Sequence, residues 1–234
     1  MSAIRIEVRD DAHGAAQAAA QHVAAAAHVA IAARGCFLVA FSGGRTPGLM
    51  LAALLDHPIP WQQVQVFQVD ERIAPAGDAA RNLNALREAL LVKGALPERN
   101  LHAMPVEDAD PAGAAQRYTV RLRDGADAPL LLDLVHLGLG DDGHTASLVP
   151  GDAALHESDA DVAVTGEYRG HRRMTLTFAA LDRARERLWL ATGADKADML
   201  ARLHSRDVAI PAGRVRAVGS VLYCDAPAAT RLVC

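Results

Sequence analysis

Leu134–Pro150 reads LVHLGLGDDGHTASLVP, and the fold is decided by how this stretch is read. Val135, Leu137 and Leu139 are apolar with few charges nearby, as in a buried strand. The strand runs into Gly138, Gly140 and Gly143, where the backbone can turn sharply and a ligand can come close. Asp141, Asp142 and His144 crowd the same turn. Thr145–Leu148 is expected to open a short helix that Pro150 and Gly151 stop. Open α/β sheets bind ligands where a strand ends and a helix starts. His144 is the residue there best suited to move a proton near neutral pH.

The same order of strand, polar turn and helix repeats along the chain. Ile4, Ile6 and Val8 alternate as in a short strand, and the alanine-rich run Ala15–Ala33 follows as a helix. Cys36–Phe41 is an apolar run fit for a central strand, and Leu49–Leu55 is helical behind it. Between them Thr46 is expected as N-cap, with Pro47 at the first helical position. Val64–Val69 is the next strand, and Arg81–Leu91 and Pro111–Arg123 are helical. Asp124–Pro129 reads as a loop. Val162–Val164, Met174–Thr177, Arg187–Ala191 and Val215–Tyr223 read as later strands, with Asp195–His204 helical. The pattern predicts an α/β, mostly parallel sheet with helices on both faces, in one domain covering residues 1–234.

Composition narrows the function classes. With 51% hydrophobic residues in 234, the chain can bury a sizeable core. A net charge of −4 gives no electrostatic reason to expect nucleic acid or an anionic membrane as partner. Cys36, Cys224 and Cys234 are far apart and odd in number, so a reducing, cytoplasmic setting fits better than a disulfide framework or a zinc site. The N-terminus lacks the pattern of a signal peptide. Gln17, Gln21, His22 and His28 interrupt the alanine run, which argues for an amphipathic helix over a membrane span. The histidines show no HExxH or other metal spacing, so no metal is expected. His136, inside the strand, reads as a core residue.

Four polar turns carry the candidate chemistry. In Ser42-Gly43-Gly44-Arg45-Thr46-Pro47 the glycines free backbone amides to point at one anion, at the positive end of a helix; a tight capped turn is the plainer alternative. Ala40–Gly44 also approximates a nucleophile elbow, with Ser42 as nucleophile and Ala40 in place of the first glycine, although Thr46-Pro47 looks built as a cap. Asp70-Glu71-Arg72 is either solvated or a phosphate and sugar contact, for which the planar fork of Arg72 is suited. Gly138–Gly143 matches GxGxxG. A dinucleotide reading fits poorly there, because two aspartates would face the pyrophosphate and the following helix has room only to about Val149. Lys196, one of two lysines, opens a late helix where its charge opposes the dipole, which hints at an anion-binding or paired role.

Taken together SGGRTP, VFQVDERIAP, LGLGDDGHTASLVPG and RRMTLT (Arg172–Thr177) resemble the 6-phosphogluconolactonase family, in the right order from about Phe41 to Lys196. The resemblance implies a Rossmann-like α/β fold and hydrolysis of 6-phospho-D-glucono-1,5-lactone in the pentose phosphate pathway, without metal or cofactor; a monomer or small homo-oligomer is expected. Carried over by position, the implied catalytic residues are His144, Asp142 and Asp70. Ser42, Gly43, Gly44, Thr46, Arg72, Gly143, Arg173 and Lys196 are the implied substrate and phosphate ligands. Arg45 stands where a small residue is expected, and Val149 replaces a usual phenylalanine. Glucosamine-6-phosphate isomerase/deaminase shares the DGH turn but continues with an Asn-Glu-Pro run. Ser147–Pro150 carries no carboxylate, which favours the lactonase. A sugar-phosphate-sensing module on the same fold is the non-enzymatic alternative.

Overall fold

A computed structural model describes residues 4–124 and 131–232. The strands are β1 (Arg5–Arg9), β2 (Phe37–Phe41), β3 (Val64–Gln68), β4 (Asp70–Arg72), β5 (Leu101–His102), β6 (Leu134–Leu137), β7 (Val162–Val164), β8 (Arg173–Leu176), β9 (Glu186–Ala191) and β10 (Ser220–Asp225). Seven of them form one sheet in the order β1-β10-β9-β6-β2-β3-β5, with every pair parallel. Helices cover both faces. Phe37, Val39 and Phe41 of β2 pack with α1 (Ala12–Arg34), α2 (Arg45–Leu54) and α3 (Asn82–Arg87). Leu38 and Ala40 face the opposite way, toward α4 (Pro111–Asp124) and α6 (Ala197–His204). A fully buried strand needs apolar residues at both parities, which is why CFLVAF is unbroken.

Helix α1 extends beyond the alanine run because of its caps. The Asp11 carboxylate accepts from the Gly14 amide at 2.8 Å, and Gly35, at φ 77°, donates to Ile31 O at 2.8 Å. Its small side chains, Ala15 to Ala30, let it lie close on the sheet.

Strand order reverses at β2. From β2 the chain moves out to β3 and β5, then returns to β6 on the other side of β2 and continues to β9. The loops after β2 and β6 therefore part at one carboxyl edge and leave a crevice between them.

A second, antiparallel sheet, β4-β8-β7, walls that crevice. The triplet Asp70-Glu71-Arg72 is a strand of this sheet, with Asp70 opposite Thr175, Glu71 opposite Met174 and Arg72 opposite Arg173. Glu71 has no solvent exposure. Its carboxylate accepts from the amides of Arg72, Asn82 and Leu83, each at 2.8 Å, and from Gln68 Nε2 at 2.9 Å, with Arg81 Nε 3.3 Å away. It thus caps α3, whose first amides have no helical acceptor, and clamps that helix to β4.

Several sequence expectations are corrected here. Thr46 is not the N-cap: Gly44 caps α2 at φ 127°, the helix starts at Arg45, and the Thr46 hydroxyl bonds Thr192 Oγ1 at 2.9 Å. Thr145–Leu148 is a wound turn and not a helix. Ser147 donates its amide to Thr175 Oγ1 and its hydroxyl to Asp70 Oδ2, and Ala146 sits at φ 53°. Those cross-links to β8 and β4 replace helical bonds. The last strand is Ser220–Asp225, later than expected, because the chain leaving α7 (Pro211–Arg214) bends and turns at Gly219 before the strand begins. The short elements β5, α5 (Phe178–Arg183) and α8 (Ala226–Ala229) were not foreseen. Of the loop expected at Asp124–Pro129, Asp124 closes α4 and the rest lies outside the described residues.

Glu71→Ala leaves at least four buried or half-buried donors without their acceptor and removes one of the two carboxylates paired with Arg81. Chemical denaturation is expected to show a loss of about 3–5 kcal/mol. A loss below about 1 kcal/mol, the worth of an exposed pair, would mean that the clamp is not what holds β4 to α3.

Candidate active site

The crevice is a cleft of about 310 Å³, within the range of small-ligand pockets. Five cations line it, Arg45, Arg72, Arg169, Arg173 and Lys196, against the carboxylates Asp70, Asp141 and Asp195. In a chain of net charge −4 this is a local excess of positive charge, suited to an anionic ligand.

The DDGH turn brings His144 to one wall. Its Nδ1 lies 2.6 Å from Asp142 Oδ1, which also accepts the His144 amide at 3.1 Å. Asp142 Oδ2 accepts the Tyr168 hydroxyl at 2.9 Å. Burial works against the Asp142 charge. The bonds from His144 and Tyr168 outweigh it and hold the carboxyl below its ordinary range. A carboxylate can only accept, so Nδ1 carries the proton and Nε2 is left as the ring's free acceptor. Gly140 makes the packing possible: a Cβ there would lie 2.1 Å from His144 Nδ1. Gly143, at φ 82°, does not line the cleft; its carbonyl accepts from Ala212 and fastens the turn to α7.

The cations line the same cleft. Arg72 Nη1 donates to Ala80 O at 3.0 Å and to Asn82 Oδ1, and among the described residues its other nitrogens have no acceptor. Arg173, its cross-strand neighbour, is 6% exposed; Nη1 and Nη2 reach Ser147 Oγ and Tyr168 O only at 3.5 Å, and Nε has no partner. Burial pushes the Arg173 pKa down. Like charges directly across a strand pair repel, so this pair is incomplete without an anion. Asp70 lies beside them. Burial pushes its carboxyl up, against the pull of the Ser147 hydroxyl at 2.6 Å and of Arg72 and Arg173. Lys196, at the end of the turn that leads into α6, is paired with the exposed Asp195 at 3.4 Å.

The first turn lies at the floor, with Ser42, Gly43, Gly44 and Thr46 all lining the cleft. The Ser42 hydroxyl donates to His136 O at 2.9 Å. Burial pushes the His136 pKa down to about 3, and its Nδ1 faces the Ser42 amide at 3.4 Å, so no base addresses the hydroxyl as an elbow requires. No helix follows the GxGxxG run, so the dinucleotide fingerprint lacks its structural context. Among the described residues, Asp141, Asp142 and His144 have metal-ligand spacing, with ligand atoms within 4.8 Å of one another. Their donors are already engaged: Arg169 Nη2 reaches both oxygens of Asp141 at 2.7 and 3.0 Å, and Asp142 serves His144 and Tyr168.

Of the sequence candidates, all but Asp142 and Gly143 line the cleft directly, and Asp142 reaches it through His144. Sequence reading missed Asn82 and Tyr168. Asn82 bonds Arg72 and the Asp70 carbonyl, and it packs so tightly on Gly43 that a Cβ there would lie 2.0 Å from its Oδ1. Tyr168 precedes Arg169-Gly170, a turn signal between two expected strands that marks a hairpin tip but not what the tip touches.

A family model for glucosamine-6-phosphate isomerases/6-phosphogluconolactonase matches residues 10–223. A 6-phosphogluconolactonase of Synechocystis sp. is 39% identical over 179 residues, 74% of each chain. One from Mycobacterium tuberculosis is 34% identical over 242 residues, covering 97% of this chain and 98% of its own. The crystal structure of a 6-phosphogluconolactonase from Thermotoga maritima matches with a TM-score of 0.84 at 26% identity, covering 95% of this chain and 99% of that one. The sequence match over nearly the whole chain and the shared architecture make this protein a member of the glucosamine-6-phosphate isomerase/6-phosphogluconolactonase family.

Proposed function

We propose that this chain, acting as a single lactonase domain, hydrolyses 6-phospho-D-glucono-1,5-lactone to 6-phospho-D-gluconate. The observation that carries the reading is an imidazole with a free Nε2 in the same cleft as an underbonded arginine pair. The names of the similar proteins from Synechocystis and Mycobacterium tuberculosis support it. The free thiols of Cys36 and Cys224 support the cytoplasmic setting read from the sequence. A δ-lactone is an activated ester, so water attacks C1 once a base takes its proton. His144 Nε2 accepts that proton as the new C–O bond forms. It returns the proton to the ring oxygen as the C1–O bond breaks, and the acid is released. Asp142 keeps Nδ1 protonated and stabilises the transient imidazolium.

The 6-phosphate is held by Arg72, Arg173 and Lys196, with the amides and hydroxyls of Ser42, Gly43, Gly44 and Thr46 closing the floor. Asp70, buried beside the two arginines, offsets part of their mutual repulsion. Binding at this remote dianion fixes C1 against the base, and charge-assisted bonds are strong enough to supply much of that energy. Arg45, exposed at the rim, adds positive charge at the entrance.

Turnover is tested with the purified chain in a coupled assay for 6-phosphogluconate, run against spontaneous lactone opening. His144→Asn is expected to lower kcat by about two to four powers of ten while leaving product binding intact. Glucosamine-6-phosphate should release no ammonia; deamination, or unchanged turnover by His144→Asn, would overturn the assignment. Arg72→Ala should reduce kcat/KM on the phosphorylated lactone by about 1.5–3 kcal/mol, the worth of a charged hydrogen bond, and leave unphosphorylated gluconolactone nearly untouched. Equal losses on both would place Arg72 at C1 or in the scaffold.

A further inference from the structure

Strands β7 and β8 belong to one hairpin arm, and its tip lies over the catalytic turn. Tyr168 and His171 pair through both backbone bonds, at 3.0 and 3.3 Å. Arg169 and Gly170 between them have φ 51° and 80°. Positive φ at both central positions is the geometry of the tightest hairpin turn, whose twist matches that of the flanking strands. The tip thus holds Tyr168 in a fixed direction. Its hydroxyl donates to Asp142 Oδ2 at 2.9 Å, and its ring stands edge-on to His144, 5.5 Å between centroids. The next residue, Arg169, grips the neighbouring Asp141. Two adjacent residues of the tip therefore fasten two adjacent aspartates of the turn.

We propose that Tyr168 is a positioning residue for catalysis. By occupying Asp142 Oδ2 it turns Oδ1 to the imidazole, and so holds His144 with Nδ1 protonated and Nε2 aimed at the reacting carbon. The proposal rests on the reading of His144 as the base. Each oxygen of Asp142 then has a protein donor: the His144 amide and ring on one, the phenol on the other. Without the phenol, one oxygen loses its only donor among the described residues and the carboxylate is free to rotate. Its charge is also no longer shared with the phenol and bears more fully on the imidazolium. The other charged groups around this set are Asp141 on the same turn, Arg169 and Arg173 on the hairpin, and Lys196, which acts on Asp141. Tyr168→Phe leaves all of them in place and keeps the ring that Arg169 and Arg173 stack on at 5.0 and 5.1 Å.

The test is Tyr168→Phe in the full chain, assayed on the phosphorylated lactone across pH. We expect kcat to fall about five- to tenfold, the range of one hydrogen bond, with KM within about twofold. The acid limb of the kcat profile should move up by about half a pH unit, because a more strongly held imidazolium needs higher pH to become a base. In an Asp142→Ala background the same substitution should change kcat less than about twofold, since the group it acts through is gone. An unchanged kcat and profile, a change in KM alone, a limb that moves the other way, or an equal loss in the Asp142→Ala background would overturn the proposal. His144→Asn run alongside separates the two readings. If it is inactive while Tyr168→Phe is unaffected, only the role of Tyr168 falls; if it is fully active, the base assignment falls first.

Discussion

A parallel strand offers its polar groups at one end, and a sheet whose strand order reverses must leave a gap at the reversal. Here the reversal is at β2, between β3 on one side and β6 on the other. The loop Ser42–Gly44 leaves one side of that gap and Gly138–His144 the other, so a phosphate-holding turn and a proton-moving turn share one cleft. Every other functional feature depends on this meeting. The buried apolar strands fix the two loop bases, and the loops need only fine positioning by their neighbours.

That positioning is supplied by two carboxylates, Glu71 fully buried and Asp142 half-buried. Glu71 satisfies the first amides of α3 and fixes β4, and β4 in turn sets Arg72 against Arg173. Asp142 binds the imidazole with one oxygen and the phenol of Tyr168 with the other. In both places a carboxylate wholly or partly shielded from water is kept charged by several donors at once, and each donor belongs to an element that must be placed. The stability of the scaffold and the geometry of the site therefore share the same bonds. Asp70 is the contrasting case: burial raises its pKa although two arginines flank it, which fits a cleft wall built to take further negative charge.

The parallel sheet was legible because its strands are long apolar runs ended by glycine and polar residues, as at Phe41-Ser42-Gly43 and Leu137-Gly138. His144, Arg72 and Lys196 could be brought to one edge by that logic alone. The second sheet was not fully legible. Asp70-Glu71-Arg72 is three charged residues, and nothing in its pattern announces a strand; its pairing with β8 spans about a hundred residues. Thr145–Leu148 has local helix preferences, but Ser147 bonds to Thr175 and Asp70 and tertiary contacts decide the backbone there. The roles of Tyr168 and Asn82 are set by partners distant in sequence, which no local periodicity encodes.

The central claim is that Asp142 fixes His144 as a base with Nε2 free. The most direct measurement is a pH titration of the His144 ring nitrogens by NMR, set beside the pH profile of kcat/KM for the phosphorylated lactone. The account predicts a neutral ring protonated at Nδ1, and a titration midpoint that coincides with the acid limb of kcat/KM, which reports the free enzyme. A neutral ring protonated at Nε2, or an acid limb displaced from the His144 midpoint by a full pH unit or more, about 1.4 kcal/mol, would contradict it.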